Sequence, residues 1–246
     1  NAGIAGILRQ NGILSLPMDC FVVAADIDPL PKVAWGDANR ALRVALGCRA
    51  RGDVYPLLLS SFGCGPASFS EHIFSELMAG YPHTALETDG HGGTAGYVTR
   101  VQSFLHTVRS HDRSPSPPAI ERLRFLQHDP PRAMKGESGT RFVVFSMADH
   151  FSSIMAATYR SFGVDAVSAG PNSAETFARG RRDCSGKECI PYQLIWGAFR
   201  SHLDRHPPQQ PTVLLEVFGE GMCRNCMFVV KDKIALRRLG LEGRVT

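Results

Sequence analysis

The sequence predicts an α/β protein with mostly parallel sheets, organised as two similar halves. Three observations carry this. Short β-rich apolar runs alternate with amphipathic stretches of helical period, the signature of βα units. A Pro-rich segment interrupts the alternation near the middle of the chain, and the alternation resumes behind it. The opening NAGIAGILRQNG reads as a helix already in progress. A strand is expected near Ile13–Met18 and a helix near Lys32–Ala50. Then come a strand near Val54–Ser61, a helix near Ala67–Ala79 that Pro66 can open, a strand near Thr84–Thr88 and a helix near Thr94–Val108.

The segment HDRSPSPPAIERLRFLQHDPPRAMKGESG carries Pro115, Pro117, Pro118, Pro130 and Pro131, which suits an extended linker around a short amphipathic helix near Ile120–Gln127. Beyond it, strands are expected near Arg141–Met147, Asp165–Ser168 and Thr212–Phe218. Helices are expected near Phe151–Phe162, Ser173–Arg182, Ile190–Leu203 and Cys223–Leu239. The economical division is a first half over 1–110, a linker over 111–139 and a second half over 140–246, each half Rossmann-like or flavodoxin-like. The ends suggest a segment cut from a longer polypeptide, since the chain starts at Asn1 and stops at Thr246 where another strand is due.

The balance of 27 Lys+Arg against 23 Asp+Glu, a net +4, is too mild for a nucleic-acid or membrane footprint. No apolar run approaches the roughly 20 residues of a spanning helix. A soluble, cytoplasmic protein with no nucleic-acid and no membrane partner is therefore expected. The unusual feature is the count of 7 cysteines. An odd number without a secretory signal argues for reduced, metal-bound or buried thiols over a disulfide scaffold.

Three cysteines share one setting. Cys64 follows the apolar run VYPLLLS between Gly63 and Gly65; Cys189 precedes Pro191 in SGKECIPYQL; Cys223 follows TVLLEVF and Gly221. Each is expected where a helix begins, Cys64 and Cys223 directly after strands and Cys189 at a junction read the same way. Ligands collect at the carboxyl ends of parallel strands. A helix N-terminus lowers a thiol pKa and readies it for metal. Convergence of three such thiolates suggests an iron–sulfur cluster or zinc. Cys184 and Cys226 are each near enough in sequence to supply a fourth ligand. Cys20 and Cys48 lack the setting and read as structural.

Cys223 and Cys226 also form a C-x-x-C at a helix start, where a thiol–disulfide oxidoreductase keeps its dithiol. A non-catalytic scaffold or interaction domain, with or without a stabilising zinc, is the other alternative.

The stretches SSFGCGPASFSEHIF, ALETDGHGGTAGYVTRVQSFL, SMADHFSSIMAATYRSFGVDA, SGKECIPYQL and GEGMCRNCMF, in this order, resemble the C-terminal region of large CoA-substrate-specific enzyme activases, relatives of the activator and component proteins of 2-hydroxyacyl-CoA dehydratases. The resemblance implies a bacterial protein in which a [4Fe-4S]-type cluster, lying between the two halves, receives a low-potential electron. ATP enters only through an activator domain or subunit outside this chain, and a CoA-thioester dehydratase or reductase is the further partner. It also implies residue by residue that Cys64 stands at the family's CGP cysteine, Cys189 at the first cysteine of GKECxPC, and Cys223 at the cysteine of GPCR. Tyr192 occupies the second cysteine position of GKECxPC, Met222 replaces a proline, and Cys226 is extra. Two arrangements stay open: a three-cysteine site with an open iron position, or one closed by Cys226 or Cys184. A homodimer is a further expectation.

Other groups are weighed beside the cysteines. Glu87, Asp89 and His91 follow one predicted strand, and Asp149 and His150 another. All five could hydrogen-bond a cluster from outside its ligands, or serve as caps and turns, Asp149 for the next helix. Lys187, with Arg179, Arg181 and Arg182 nearby, could add positive charge near Cys189. Gly90-His91-Gly92-Gly93-Thr94-Ala95 satisfies GxGxxA, yet no acidic residue ends a following strand about twenty positions on, so a flexible Gly turn is preferred. GESGT precedes a strand instead of following one, opposite to the order of a phosphate-binding loop.

Overall fold

The computed structural model describes residues 3–25, 27–88, 93–112, 124, 126, 139–148, 150–219, 221 and 223–246. The chain divides into two compact units, Asn1–His128 and Asp129–Thr246. Both are α/β with parallel strands. Most of the expected linker helix near Ile120–Gln127 lies outside the described residues.

The first unit contains α1 (Ile4–Gln10), α2 (Gly36–Arg51), β1 (Leu57–Ser61), α3 (Gly65–Leu77), β2 (Thr84–Thr88) and α4 (Thr94–Arg109). β1 and β2 pair in parallel, Leu57 opposite Thr84 and Ser61 opposite Thr88. Parallel neighbours need a crossover element, and α3 supplies it. Ile4, Ile7 and Leu8 of α1 pack with Leu86 of β2 and Tyr97 and Val101 of α4 into an apolar cluster. α2 packs on α3.

The strand expected near Ile13–Met18 does not form. Residues 13–17 are irregular and Met18–Cys20 is one 3-10 turn. Leu14 is 97% exposed. An apolar run becomes a strand only beside a partner, and Pro17 removes a ladder donor.

The second unit contains β3 (Arg141–Val144), α5 (Phe151–Ser161), β4 (Ala166–Ser168), α6 (Ala174–Arg182), α7 (Ile190–Arg205), β5 (Thr212–Leu215) and α8 (Phe228–Arg238). Its strands are ordered β4-β3-β5, all parallel. The C-terminal residues add to the β5 side: Val245 bridges Thr212, and Leu214 N–H donates to Thr246 O at 2.7 Å.

α6 and α7 meet backbone to backbone. A Cβ on Gly180 would collide with the carbonyl oxygen of Gln193, and one on Gly197 with that of Thr176. Ser173 caps α6 through a reciprocal pair with Thr176. Trp196 Nε1 donates to Asp183 Oδ2 at 2.8 Å and ties the end of α6 to α7. No described helix is long and apolar enough to cross a membrane.

Candidate functional site

Each of the three singled-out cysteines stands at the start of a helix. Cys64 is the N-cap of α3, after β1, and is half-buried; Pro66 lies in the first turn. Cys189 is the N-cap of α7 and half-buried, with Pro191 in the first turn. Cys223 is exposed and caps a 3-10 turn, Arg224–Met227, that runs into α8. Cys64 and Cys223 therefore keep their strand-to-helix junctions. Cys189 does not, because the element before it is α6 and its loop joins two helices.

In the second unit the two cysteine-bearing segments are neighbours. Glu188, next to Cys189, forms an ion pair at 2.9 Å with Lys231 of α8, five residues after Cys226. Both side chains are fully or almost fully buried. The Tyr192 ring, in the first turn of α7, meets the ring of Phe228, the first residue of α8, edge-on at 5.0 Å. The start of α7 and the start of α8 are thus held side by side. Among the described residues no group of three or more His, Cys, Asp or Glu side chains stands in metal-holding geometry.

The loop before α7 is tied by its own acid. Glu188 accepts from Ser185 N–H at 3.0 Å and from Ser185 Oγ at 3.0 Å, while its backbone oxygen accepts from Gln193 Nε2 at 2.6 Å. Burial pushes the Cys184 thiol up to about 12, Glu188 adding to the effect and Lys231 opposing it. Cys226 is 1% exposed and its pKa is raised by burial and by the neighbouring Cys223.

A buried acidic group adjoins this seam. Asp232, one residue after Lys231, faces the Tyr192 hydroxyl and the Glu216 carboxyl, which directly follows β5. Glu216 Oε1 and Oε2 and Asp232 Oδ1 are enclosed without a hydrogen bond of standard geometry. Burial is the main cause that raises the Asp232 carboxyl to about 7, against the pull of Tyr192, Glu216 and Lys231. Glu216 is raised well above its ordinary value by burial and by the Asp232 charge. Two carboxyls so close in a dry site cannot both ionise cheaply and hold a proton between them at neutral pH.

The remaining candidates are dispersed. Glu87 is the fourth residue of β2, opposite Ser60 and half-buried. His150 is exposed and precedes α5 without a side-chain cap bond. Asp89, His91, Asp149 and Met222 lie outside the described residues, as do Gly90 and Gly92. Lys187 is half-buried beside Ser185. Arg179 is engaged by Asp204, and Arg181 lies over the Phe177 ring at 5.6 Å. Cys48 is buried in α2, its thiol pushed up to about 11 by burial, whereas Cys20 is exposed and contributes no core packing.

Sequence reasoning missed Lys231, Glu188, Asp232 and Glu216 as a group. A signal existed. In α8 the charged pair Lys231-Asp232 falls at i+3 and i+4 from Phe228, in line with Ala235 at i+7, on what is otherwise an apolar stripe. Comparison with protein-family models, curated proteins and solved structures finds no match.

Proposed function

We propose that this chain is an iron–sulfur segment for ATP-coupled, low-potential electron transfer to a CoA-thioester dehydratase or reductase. One observation carries the reading: the loop bearing Cys184 and Cys189 and the turn bearing Cys223 and Cys226 are pinned together at two adjacent helix starts. The donor chemistry fits, because soft thiolates select iron–sulfur clusters. Cys189 and Cys223 are the ligands of the second unit, with Cys226 or Cys184 as a further one, and Cys64 is the ligand candidate of the first unit by its motif and N-cap position.

When bound, such a cluster takes up and releases single electrons. The chain does the rest. Cys189 and Cys223 each stand at the N-cap of a helical turn. Lys231 brings a buried positive charge to the seam, and Glu188 holds it there. Glu87, His150 and Lys187, together with Asp89, His91 and Asp149, remain candidates for outer hydrogen bonds. In this reading the two units are Rossmann-like halves of a homodimeric cytoplasmic protein. An ATP-hydrolysing activator domain or subunit donates the electron and the CoA-thioester enzyme accepts it.

Anaerobic iron–sulfur reconstitution should give a brown protein containing iron and acid-labile sulfide. Cys189→Ser, Cys223→Ser and Cys64→Ser should each lower both. A colourless product, with the three substitutions silent, overturns the reading.

A second reading has its own observation. Cys223 is exposed while Cys226, three residues on, is buried, the division of an attacking and a resolving thiol. In that case both thiols together surrender two electrons and two protons to a disulfide substrate and close an S–S bond. Disulfide mapping of the oxidised protein separates the two readings.

A further inference from the structure

The Cys184–Cys189 loop is short, polar and set between two helices, a position in which a chain is ordinarily mobile. Here it is closed from inside. Glu188 reaches into the protein with a fully buried side chain, gathers Ser185 N–H and Ser185 Oγ, and meets Lys231 Nζ at 2.9 Å. Ser185 Oγ in turn accepts from Lys187 N–H at 3.3 Å. One carboxylate thus fixes the loop to itself and to α8. A buried ion pair is a weak source of stability, because desolvation offsets most of its attraction. Its distinctive contribution is geometric: it fixes which part of the loop meets which turn of α8.

We infer that Lys231 and Glu188 form a buried latch that fixes the loop bearing Cys184 and Cys189 to α8, the helix that follows Cys223 and Cys226, before any metal arrives. Both are positioning residues, and their role in metal binding rests on the cysteine reading above. Lys187, the lysine of the loop itself, has its backbone in the latch. Lys231, forty-four residues later in the chain, supplies the charge.

The test is residue-resolved alkylation of the metal-free, reduced protein with iodoacetamide, followed by mass spectrometry. In the unaltered chain Cys223 should label quickly and Cys184 slowly. Lys231→Met should accelerate labelling of Cys184 and Cys189 by about tenfold while Cys48, in the other unit, is unchanged; Lys231→Arg should restore most of the protection. Since Lys231→Met strands a buried carboxylate and threatens folding, two further variants carry the decision. Glu188→Leu with Lys231→Met should keep a cooperative melt and native circular dichroism yet label Cys184 fast. Ser185→Ala, which leaves the ion pair intact, should accelerate Cys184 by only about threefold.

If the folded double variant protects Cys184 as the unaltered chain does, the latch is wrong. Reconstitution then separates this inference from the reading on which it rests. An unaltered chain that takes up no iron, with loop thiols that still respond to the latch variants, leaves the latch standing and removes the iron–sulfur reading. Equal iron uptake by both chains with equal labelling removes the latch alone.

Discussion

Two buried tyrosines, one in each unit, separate the chemistry of the two interiors. Tyr81 and Tyr192 are 2% and 0% exposed. The Tyr81 hydroxyl donates to backbone oxygens, Val54 O at 2.9 Å and Cys48 O at 3.2 Å, and its ring stacks on Tyr55. The Tyr192 hydroxyl faces the Asp232 carboxyl, which faces Glu216. Burial raises both phenols well above their ordinary value. The difference lies in what each hydroxyl faces. A carbonyl oxygen never changes charge, so Tyr81 locks a turn. A carboxyl does change charge, so Tyr192 belongs to a group whose protonation can follow its surroundings.

The largest effect should come from α6 and α7, the second of which carries Tyr192. Gly197→Leu places a side chain against the Thr176 carbonyl, where backbone cannot yield. It should cost about 4 kcal/mol or more and abolish the cooperative unfolding of the second unit in denaturant. Loss of protection at Cys226 with Cys48 still protected would localise the damage.

Next is Lys231→Met, which removes the cation from beside the buried Glu188 carboxylate. About 3–5 kcal/mol should be lost, and adding Glu188→Leu should recover most of it. A double variant as unstable as the single one would contradict the pairing.

A few kcal/mol attach to the carboxyls and depend on pH. Asp232 has a folded pKa of about 7 against an ordinary 3.8. Between those values the folded state binds more protons than the unfolded state, so this group's contribution to stability falls as pH rises from about 4 to 7 and is level above. His202 works in the opposite sense: burial lowers it to about 4, so its contribution rises with pH up to its unfolded value. Subtracting one chain from another cancels His202. Asp232→Asn should therefore gain about 2 kcal/mol over the unaltered chain at pH 8 and close to nothing at pH 4. Parallel stability curves for the two chains across that range would show that Asp232 is ionised throughout.

The smallest effects return to the tyrosines. Tyr81→Phe should cost about 1 kcal/mol at every pH between 5 and 9, since its partners cannot titrate. Tyr192→Phe should cost little at pH 5, where Asp232 holds its proton. It should cost about 1–2 kcal/mol at pH 9, where the carboxylate loses its donor. Equal pH profiles for the two variants would erase the distinction between the units.

Much of the fold was legible in the residues. Thr84–Thr88 was read to the residue, and Gly65–Leu77 and Ile190–Arg205 to within two, because each pairs a clear hydrophobic period with a start signal, Pro66 or Pro191. Ile13–Met18 failed because an apolar run carries no information about whether a neighbouring strand exists. The cysteine settings at Cys64 and Cys223 were legible for the same local reason. Cys189 was read as a strand-to-helix junction although the expected helices near Ser173–Arg182 and Ile190–Leu203 already left no strand between them, because Gly186 and Pro191 flank it as they would a strand-end turn.

By itself the sequence determined the α/β alternation, the helix starts and the presence of a cysteine at each of three of them. These follow from spacing and turn chemistry, which act over a few residues. Tertiary structure decided which charges go inside. Glu188 and Lys231 are separated by 43 positions, and Glu216 and Asp232 by 16. Nothing local marks either pair as partners, because burial of a charge becomes tolerable only when folding brings its counterpart, or a shared proton, to the same dry point.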